Sequence, residues 1–227
     1  MPAGVFAVDG SPGRLTPPPD ATRAMLDLST EFGQIDIYLF DQILRGRIAP
    51  GMSVLDAGCG GGRNLVYLLR QGYDVCGVDA NADAVAAVRS LAARLAPGLP
   101  ADRFRVEPVE AMTFPGAHAD VVISSAVLHF ARDEAHFQAM VRELWRVLRP
   151  GGLLFCRLAS SIGMESRVRP VGGGRFRLPD GSERFLVDEA GLMTATTALG
   201  GALADPLKTT IVQNQRCMTT WVVRKPA

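Results

Sequence analysis

Near residue 56 a short apolar segment ends in an acid and runs into a loop with glycines at alternate positions. The segment is Val54-Leu55-Asp56-Ala57-Gly58-Cys59-Gly60-Gly61-Gly62-Arg63-Asn64. Glycine adopts positive φ without a steric penalty and lets the backbone approach a ligand closely. A helical pattern follows the loop. The sequence therefore predicts a small-molecule site between the end of a strand and the start of a helix.

Strand and helix patterns alternate from residue 50 onward. Strands are predicted at 53–56, 74–79, 104–109, 119–124 and 152–158, and helices at 64–70, after Asn81 and after Asp133. Two further apolar runs, 207–212 and 218–224, are expected to pair antiparallel at a sheet edge. This rhythm predicts a Rossmann-like α/β fold, in which a doubly wound, mainly parallel sheet is covered by helices on both faces.

Some segments lie outside that rhythm. Residues 1–19 hold four prolines between positions 12 and 19 and are expected to form a disordered or draped arm. Residues 20–48 predict a helical N-terminal cap. The remaining domain, 49–227, carries a polar insert at about 160–185 with five arginines against three acids.

Composition excludes several kinds of partner. The 24 basic and 23 acidic residues give a net charge of +1, which argues against nucleic acid as a partner. No run approaches the ~20 apolar residues of a membrane span, which argues against a membrane partner. The four cysteines (59, 76, 156 and 217) lack metal-site spacing, so no metal is predicted. Cys76 and Cys156 sit in apolar runs and are expected in the core, and a reduced, cytoplasmic setting is predicted.

The glycine loop differs from two known phosphate-binding patterns. A dinucleotide fingerprint, G-x-G-x-x-G, would need its third glycine where this chain has Arg63, and Asp56 would repel a pyrophosphate. A P-loop would need Gly-Lys-Ser/Thr, which does not follow. Beside a cationic ligand the Asp56 carboxylate is favourable. The residues thus disfavour an NAD-dependent oxidoreductase.

The loop resembles the D/E-x-G-x-G-x-G first motif of class I S-adenosylmethionine-dependent methyltransferases. Four further segments resemble later motifs of that family in order: Val78–Asn81, Glu110-Ala111, Ala119–His129 and Leu144–Gly152. Together they span roughly residues 50–158. The resemblance implies a type 11/25 methyltransferase domain with a seven-stranded sheet and one antiparallel strand near its edge. Residues 62–65 and 72–75 are most similar to the tellurite-resistance branch of small-molecule methyltransferases.

The same resemblance implies which residues bind S-adenosylmethionine. Asp79 would accept from both ribose hydroxyls, Asp56 would face the cationic methionyl end, and Glu110 would accept from the adenine amino group. Arg63 either binds the methionyl carboxylate or is a solvated helix residue. The full set of implied cofactor residues is Asp56, Ala57, Gly58, Gly60, Gly62, Arg63, Asp79, Ala80, Asn81, Glu110, Ala111 and Ser125.

Candidates near the transferred methyl group follow strands four and five, because ligands of such sheets lie at the carboxyl ends of the strands. His129 is either a general base or a residue without a chemical role. Arg157 either holds an anionic acceptor or pairs with an acid. Tyr38 either closes over the donor or is a core residue. The arginines of the insert either line an anion site or belong to a solvated flexible lid; they are Arg167, Arg169, Arg175 and Arg177.

The sequence therefore predicts an enzyme that transfers a methyl group from S-adenosylmethionine to a small-molecule acceptor. The alternative is a catalytically silent module that binds S-adenosylmethionine or a nucleotide. A monomer or a homodimer is expected. The acceptor itself is not specified by these residues.

Overall fold

A computed structural model describes residues 27–227. The predicted arm, 1–19, and the first part of the predicted cap, 20–26, lie outside the described residues. The helices are α1 (Leu28–Phe32), α2 (Ile37–Leu44), α3 (Val66–Arg70), α4 (Ala82–Leu95), α5 (Glu134–Val147) and α6 (Glu189–Ala198). The strands are β1 (Ser53–Ala57), β2 (Asp74–Asp79), β3 (Phe104–Val106), β4 (Ala119–Ser125), β5 (Leu148–Ala159), β6 (Arg169–Gly172), β7 (Arg175–Arg177), β8 (Glu183–Phe185), β9 (Ala202–Leu203), β10 (Lys208–Val212) and β11 (Arg216–Arg224).

The central sheet confirms the predicted fold class. Its strand order is β10-β11-β5-β4-β1-β2-β3, and the first five strands along the chain pair in parallel. β11 is antiparallel to β5, and β10 is antiparallel to β11, as predicted for the sheet edge. A two-residue strand, β9, that was not predicted also pairs antiparallel with β11.

Two apolar layers cover the faces of this sheet. Successive side chains of a strand point to opposite faces, so Val54 packs in one layer and Leu55 in the other. The Val54 layer includes Leu68 of α3 and Val85 of α4, and the Leu55 layer includes Leu144 of α5. Because both faces are covered, β1 is a continuous buried run rather than an alternating one.

The sheet order places a crevice above β1 and β4. From β1 the chain proceeds to β2 and β3 on one side, and then returns to β4 and β5 on the other. Ligands of doubly wound sheets bind at such a switch point, outside the carboxyl ends of the strands. Here the glycine loop that follows Ala57 faces Ser125 at the end of β4.

Local signals placed the long helices correctly. Asn81 caps α4 by accepting from the Asp83 N–H, and Asp133 caps α5 by accepting from the His136 N–H. The first predicted helix begins two residues later than expected, at Val66. Asn64 does not cap it, because its side chain accepts instead from the backbone N–H of Asp36.

Residues 169–185 form a three-stranded antiparallel sheet, β6-β7-β8, although no strand was predicted there. The strands are only three or four residues long and largely exposed, so they lack an apolar alternation. Phe185 of β8 is buried and stacks on Phe137 of α5, with 4.9 Å between ring centroids. This contact attaches the small sheet to the main domain.

All four cysteines are unpaired and buried, and the prediction that Cys76 and Cys156 belong to the core is confirmed. Across residues 27–227, no helix combines the length and the apolar character needed to cross a membrane.

Candidate functional site

Three cavities adjoin one another at the carboxyl ends of the parallel strands. The loop cavity, of about 400 Å³, is lined mainly by the glycine loop, residues 58–64. The middle cavity, of about 470 Å³, is lined by Asp79, Ala80 and Glu110 among others, and it shares Gly58 and Ser125 with the loop cavity. The outer cavity, of about 300 Å³, meets the middle cavity at Ala126 and includes His129 and Arg157.

The glycine loop folds back against β2. The N–H groups of Gly58 and Cys59 donate to the Val78 carbonyl at 2.8 and 2.9 Å. Gly58 has φ of 85°, and a Cβ there would lie 2.3 Å from a methyl group of Val127. Gly60 has φ of 52° but open space around the position of its missing Cβ. The backbone at Gly60 is therefore accessible to a ligand in the loop cavity.

Asp79 joins the loop to the middle cavity. Its Oδ2 accepts from the Gly60 N–H, and its Oδ1 accepts from the Asn81 N–H, both at 2.9 Å. Ionised carboxylate oxygens accept more than one hydrogen bond each, so Asp79 retains capacity for ligand hydroxyls. The Asn81 side chain, which caps α4, lies outside the lining of the two inner cavities, although Asn81 was predicted as a cofactor residue.

Asp56 is a buried carboxylate beneath the loop. Neither of its oxygens has a hydrogen-bond partner among the described residues. Burial raises its pKa to about 7; the nearby Arg63 charge opposes this effect and the Asp79 charge adds to it. An unpaired buried carboxylate is costly, and a positively charged ligand group would stabilise it. The pair of acids and the open loop fit the cationic S-adenosylmethionine better than a diphosphate.

A polar network connects the loop to the N-terminal helices. Arg63 Nη2 donates to Ser125 Oγ at 3.0 Å, and the Ser125 hydroxyl donates to Asp36 Oδ2 at 3.4 Å. The same Asp36 oxygen pairs with Arg157 Nη1 at 3.0 Å. Arg63 is therefore hydrogen-bonded to a residue that lines the crevice and is not only solvated. Arg157 pairs with an acid, which is one of its two expected roles. Asp36 was not predicted, because before α2 it has the pattern of a helix cap and does accept from the Tyr38 N–H.

Glu110 lies beside a histidine that was also not predicted. His136 Nε2 lies 3.0 Å from Glu110 Oε1, while His136 Nδ1 accepts from the Arg132 N–H at 3.1 Å. Because Nδ1 accepts, Nε2 carries a ring proton, although this N–H lacks the alignment of a hydrogen bond to any described residue. Both residues line the middle cavity, whereas Ala111 and the buried strand residue Ala57 do not.

His129 lines the outer cavity in a neutral form. Its Nδ1 accepts from the Ala159 N–H at 3.3 Å, which leaves the ring proton on Nε2. Burial, with a smaller contribution from the Arg184 charge, lowers its pKa to about 4. This geometry suits a hydrogen-bond donor and, of the two interpretations that the sequence left open, disfavours the general base.

The arginine that the insert contributes to the outer cavity is not one of the four that the sequence analysis named. Arg184 of β8 and Arg216 of β11 line it, together with Asp180. The four predicted arginines of the insert lie outside this lining: Arg167, Arg169, Arg175 and Arg177. Tyr38 is half-buried between the N-terminal helices and β10, where its hydroxyl lies 2.7 Å from Thr210 Oγ1.

Within residues 27–227 there is no group of three or more His, Cys, Asp or Glu side chains placed to hold a metal ion.

Comparison with known proteins identifies what the chain is similar to. Residues 55–156 match the family model described as "Methyltransferase domain". A ubiquinone biosynthesis O-methyltransferase of Chelativorans sp. (strain BNC1) is 31% identical over 69% of this chain and 64% of its own length. A probable S-adenosylmethionine-dependent methyltransferase of Mycobacterium tuberculosis is 33% identical over 67% of this chain and 58% of its own length. The chain thus spans about three fifths of these relatives.

A solved structure shows the same fold. The 1,6-didemethyltoxoflavin-N1-methyltransferase of Burkholderia thailandensis, with bound 1,6-didemethyltoxoflavin and S-adenosylhomocysteine, matches with a TM-score of 0.66 at 21% identity. The match covers 88% of this chain and 82% of that one. The five ordered motifs, the sheet and these relatives agree, and the chain belongs to the class I S-adenosylmethionine-dependent methyltransferases.

Proposed function

We propose that this protein transfers a methyl group from S-adenosylmethionine to a small-molecule acceptor by in-line displacement at carbon. The observation that carries the proposal is the arrangement of the three cavities. Two of them meet at Gly58 and Ser125 and have room for the donor, and the outer one opens at Ala126, the next residue along the chain. A donor and an acceptor would therefore lie side by side.

The donor is held by residues of the inner cavities. Asp79 accepts from the ribose hydroxyls, and Glu110, which lies beside His136, accepts from the adenine amino group. The Gly60 backbone leaves room for the methionyl chain, and Arg63 lies in the loop cavity, where it can bind the methionyl carboxylate. The Asp79 carboxylate favours a positively charged ligand, and such a ligand would favour the ionised form of the buried Asp56.

The protein contributes mainly alignment and exclusion of water. S-adenosylmethionine supplies, when bound, a methyl group already activated by the positively charged sulfur. Holding two reactants in line can lower a barrier by several kcal/mol, up to about 7–11 kcal/mol. An acceptor that is already ionised requires no base, which is consistent with a neutral His129 whose Nδ1 accepts from the backbone.

The named relatives support a small-molecule acceptor. One is an O-methyltransferase of ubiquinone biosynthesis, and another has 1,6-didemethyltoxoflavin bound. None of these comparisons supports a catalytically silent module. The cytoplasmic location, the monomer or homodimer, the exclusion of nucleic acid and the tellurite-resistance branch stay predictions of the sequence.

Calorimetric titration with S-adenosylhomocysteine tests the donor assignment. Asp79→Asn should weaken binding by roughly 10- to 100-fold, because a hydrogen bond to a charged group contributes about 1.5–3 kcal/mol. Asp83→Asn, an exposed acid in the first turn of α4, is the matched control and should leave the affinity unchanged. Unchanged affinity in Asp79→Asn would show that the ribose assignment is wrong.

Turnover distinguishes an enzyme from a binding module. Donor labelled in the methyl group is incubated with the protein and a panel of phenols, thiols, carboxylic acids and metalloid oxyanions. We expect label in at least one acceptor, and less of it with Asp79→Asn. Donor binding without transfer to any member of the panel would favour the silent module.

A further inference from the structure

We propose that the acceptor is a small organic anion whose charged group is bound in the outer cavity by Arg184 and Arg216. This inference rests on the proposed methyl transfer and adds the chemical class of the acceptor. It goes beyond the shared methyltransferase motifs, because both arginines follow residue 156, where the match to the family model ends.

The lining of the outer cavity has more positive than negative charge. Three arginines, Arg157, Arg184 and Arg216, line it against one carboxylate, Asp180. The charge of Arg157 is already compensated by Asp36 at 3.0 Å. Arg184 and Arg216 have no carboxylate within 4.0 Å among the described residues. An anionic ligand group would supply the missing partner.

Asp180 does not neutralise these arginines at close range. Its Oδ1 accepts from both the N–H and the hydroxyl of Ser182, at 2.9 and 2.6 Å, in a tight turn. Arg184 and Arg216 both lower the Asp180 pKa, but less than these hydrogen bonds do. The carboxylate is therefore held by its own turn, and the two guanidinium groups keep their donors for a ligand.

Arg184 is held where it can reach a ligand. Its Nη1 donates to the Glu183 carbonyl at 2.7 Å, and its guanidinium lies 5.1 Å from the ring centroid of Phe130. Phe130 lines the middle cavity, so Arg184 is close to the junction between the two cavities. A guanidinium has five N–H donors in a planar fork that matches carboxylate and phosphate groups, and most of these donors remain available.

The rest of the lining suits the organic part of such an acceptor. Leu178, Val212 and Met218 give an apolar wall, and His129 adds a neutral Nε2–H donor. The Arg184 charge acts on His129 as well, since it lowers the pKa of that imidazole. The volume of about 300 Å³ is at the small end of the range for ligand pockets. An aromatic or aliphatic acid of modest size fits this combination.

Paired probes test the proposal without turnover. The protein is saturated with S-adenosylhomocysteine and titrated with 4-hydroxybenzoate, hexanoate and phenyl phosphate, each beside a neutral counterpart: 4-hydroxybenzamide, hexanamide and phenol. The first two pairs report carboxylate binding and the third reports phosphate binding. Arg184→Gln, Arg216→Gln and the double variant are measured alongside Arg169→Gln. Arg169 is an exposed arginine of the same small sheet and lies outside the cavity, so it is the matched control.

We expect at least one acid to bind about tenfold more tightly than its neutral counterpart, and each cavity variant to lose most of that preference. Arg169→Gln should retain it, and added salt should reduce it, since the cavity is open to solvent. Equal or undetectable binding of both members of every pair, or an unchanged preference in the double variant, would overturn the proposal. Affinity for S-adenosylhomocysteine is measured in every variant. If the wild type did not bind S-adenosylhomocysteine, the donor site, and not the anion site, would be contradicted.

Discussion

Asp36 and Arg157 form an ion pair, with 3.0 Å between Oδ2 and Nη1, that joins the N-terminal helices to the carboxyl end of β5. The Asp36 side chain is fully buried, whereas 24% of the Arg157 side chain is exposed. The same carboxylate accepts from the Ser125 hydroxyl and from the Tyr38 N–H. One buried acid thus fixes the N-terminal helices over the crevice that the glycine loop forms.

Removal of this charge should destabilise the protein. Asp36→Asn leaves the Arg157 guanidinium without its partner, in addition to a buried Nε that already has none among the described residues. We predict a loss of about 2–3 kcal/mol in the free energy of unfolding, less than for a fully buried pair because Arg157 is partly in solvent. Urea denaturation measures this loss. Asp41→Asn, which breaks partly exposed pairs with Arg45 and Lys208, should cost less than about 1 kcal/mol. Equal stability of Asp36→Asn and the wild type would contradict the role given to Asp36.

Two glycines of the loop should respond differently to alanine. Gly58→Ala places a methyl group against Val127 in a left-handed conformation, so both stability and ligand binding should fall sharply. Gly60→Ala also has positive φ but meets no atom within 4 Å. It should cost only about 1–2 kcal/mol of stability while it fills space next to the ligand. Thermal denaturation and titration with S-adenosylhomocysteine separate the two effects. The prediction fails if Gly60→Ala keeps its affinity, or if it loses as much stability as Gly58→Ala.

His136 should contribute to adenine recognition through Glu110. His136→Ala removes the imidazole whose Nε2 lies 3.0 Å from Glu110 Oε1, so affinity for S-adenosylhomocysteine should fall by about 5- to 10-fold. The inosine analogue, in which an oxygen replaces the adenine amino group, should lose less in the same variant. His118→Ala, a histidine packed on Phe114 away from the cavities, is the control. An equal loss for both ligands would show that His136 acts on the fold and not on the base.

Two buried groups should affect the pH dependence of stability in opposite directions. Asp56 has its pKa raised to about 7, so between about pH 4 and 7 the folded state binds more protons than the unfolded state. This group therefore lowers the free energy of unfolding as pH rises through that range. His129 has its pKa lowered from 6.5 to about 4, so the unfolded state binds more protons there. His129 therefore raises the free energy of unfolding as pH increases from about 4 to 6.5.

Single variants should separate these contributions. Relative to the wild type, Asp56→Asn should become more stable as pH rises from 4.5 to 6.5, and His129→Gln should become less stable. Each slope should approach about 1.4 kcal/mol per pH unit. Urea denaturation at three pH values measures the differences, and groups common to all three proteins cancel. Slopes that match the wild type in both variants would mean that neither group titrates as the structure implies.

Local patterns predicted the main strands, the long helices and the glycine loop, because each of these depends on residues that are close in sequence. Asn81 and Asp133 have the residue type and the spacing of helix caps, and Gly58 has the conformation that only glycine adopts freely. The strands β6 to β8 were missed because three or four exposed residues show no apolar period.

Contacts between distant residues were not predictable in the same way. Asp36 meets Arg157 across 121 positions of sequence. Asp36 alone has the pattern of a helix cap, and the sequence did not identify which acid pairs with Arg157. In the sequence, His136 has the pattern of a residue in the first turn of an exposed helix. Only the folded chain brings it beside Glu110. The sequence left open whether His129 is a base, because its burial and its hydrogen bond from the Ala159 N–H arise only in the folded chain.

A crystal structure of the complex with S-adenosylhomocysteine tests the donor site most directly. We predict both ribose hydroxyls within hydrogen-bond distance of Asp79, the adenine beside Glu110, and the sulfur facing the outer cavity at Ala126. A ligand bound elsewhere, or a ribose turned away from Asp79, would contradict the site described.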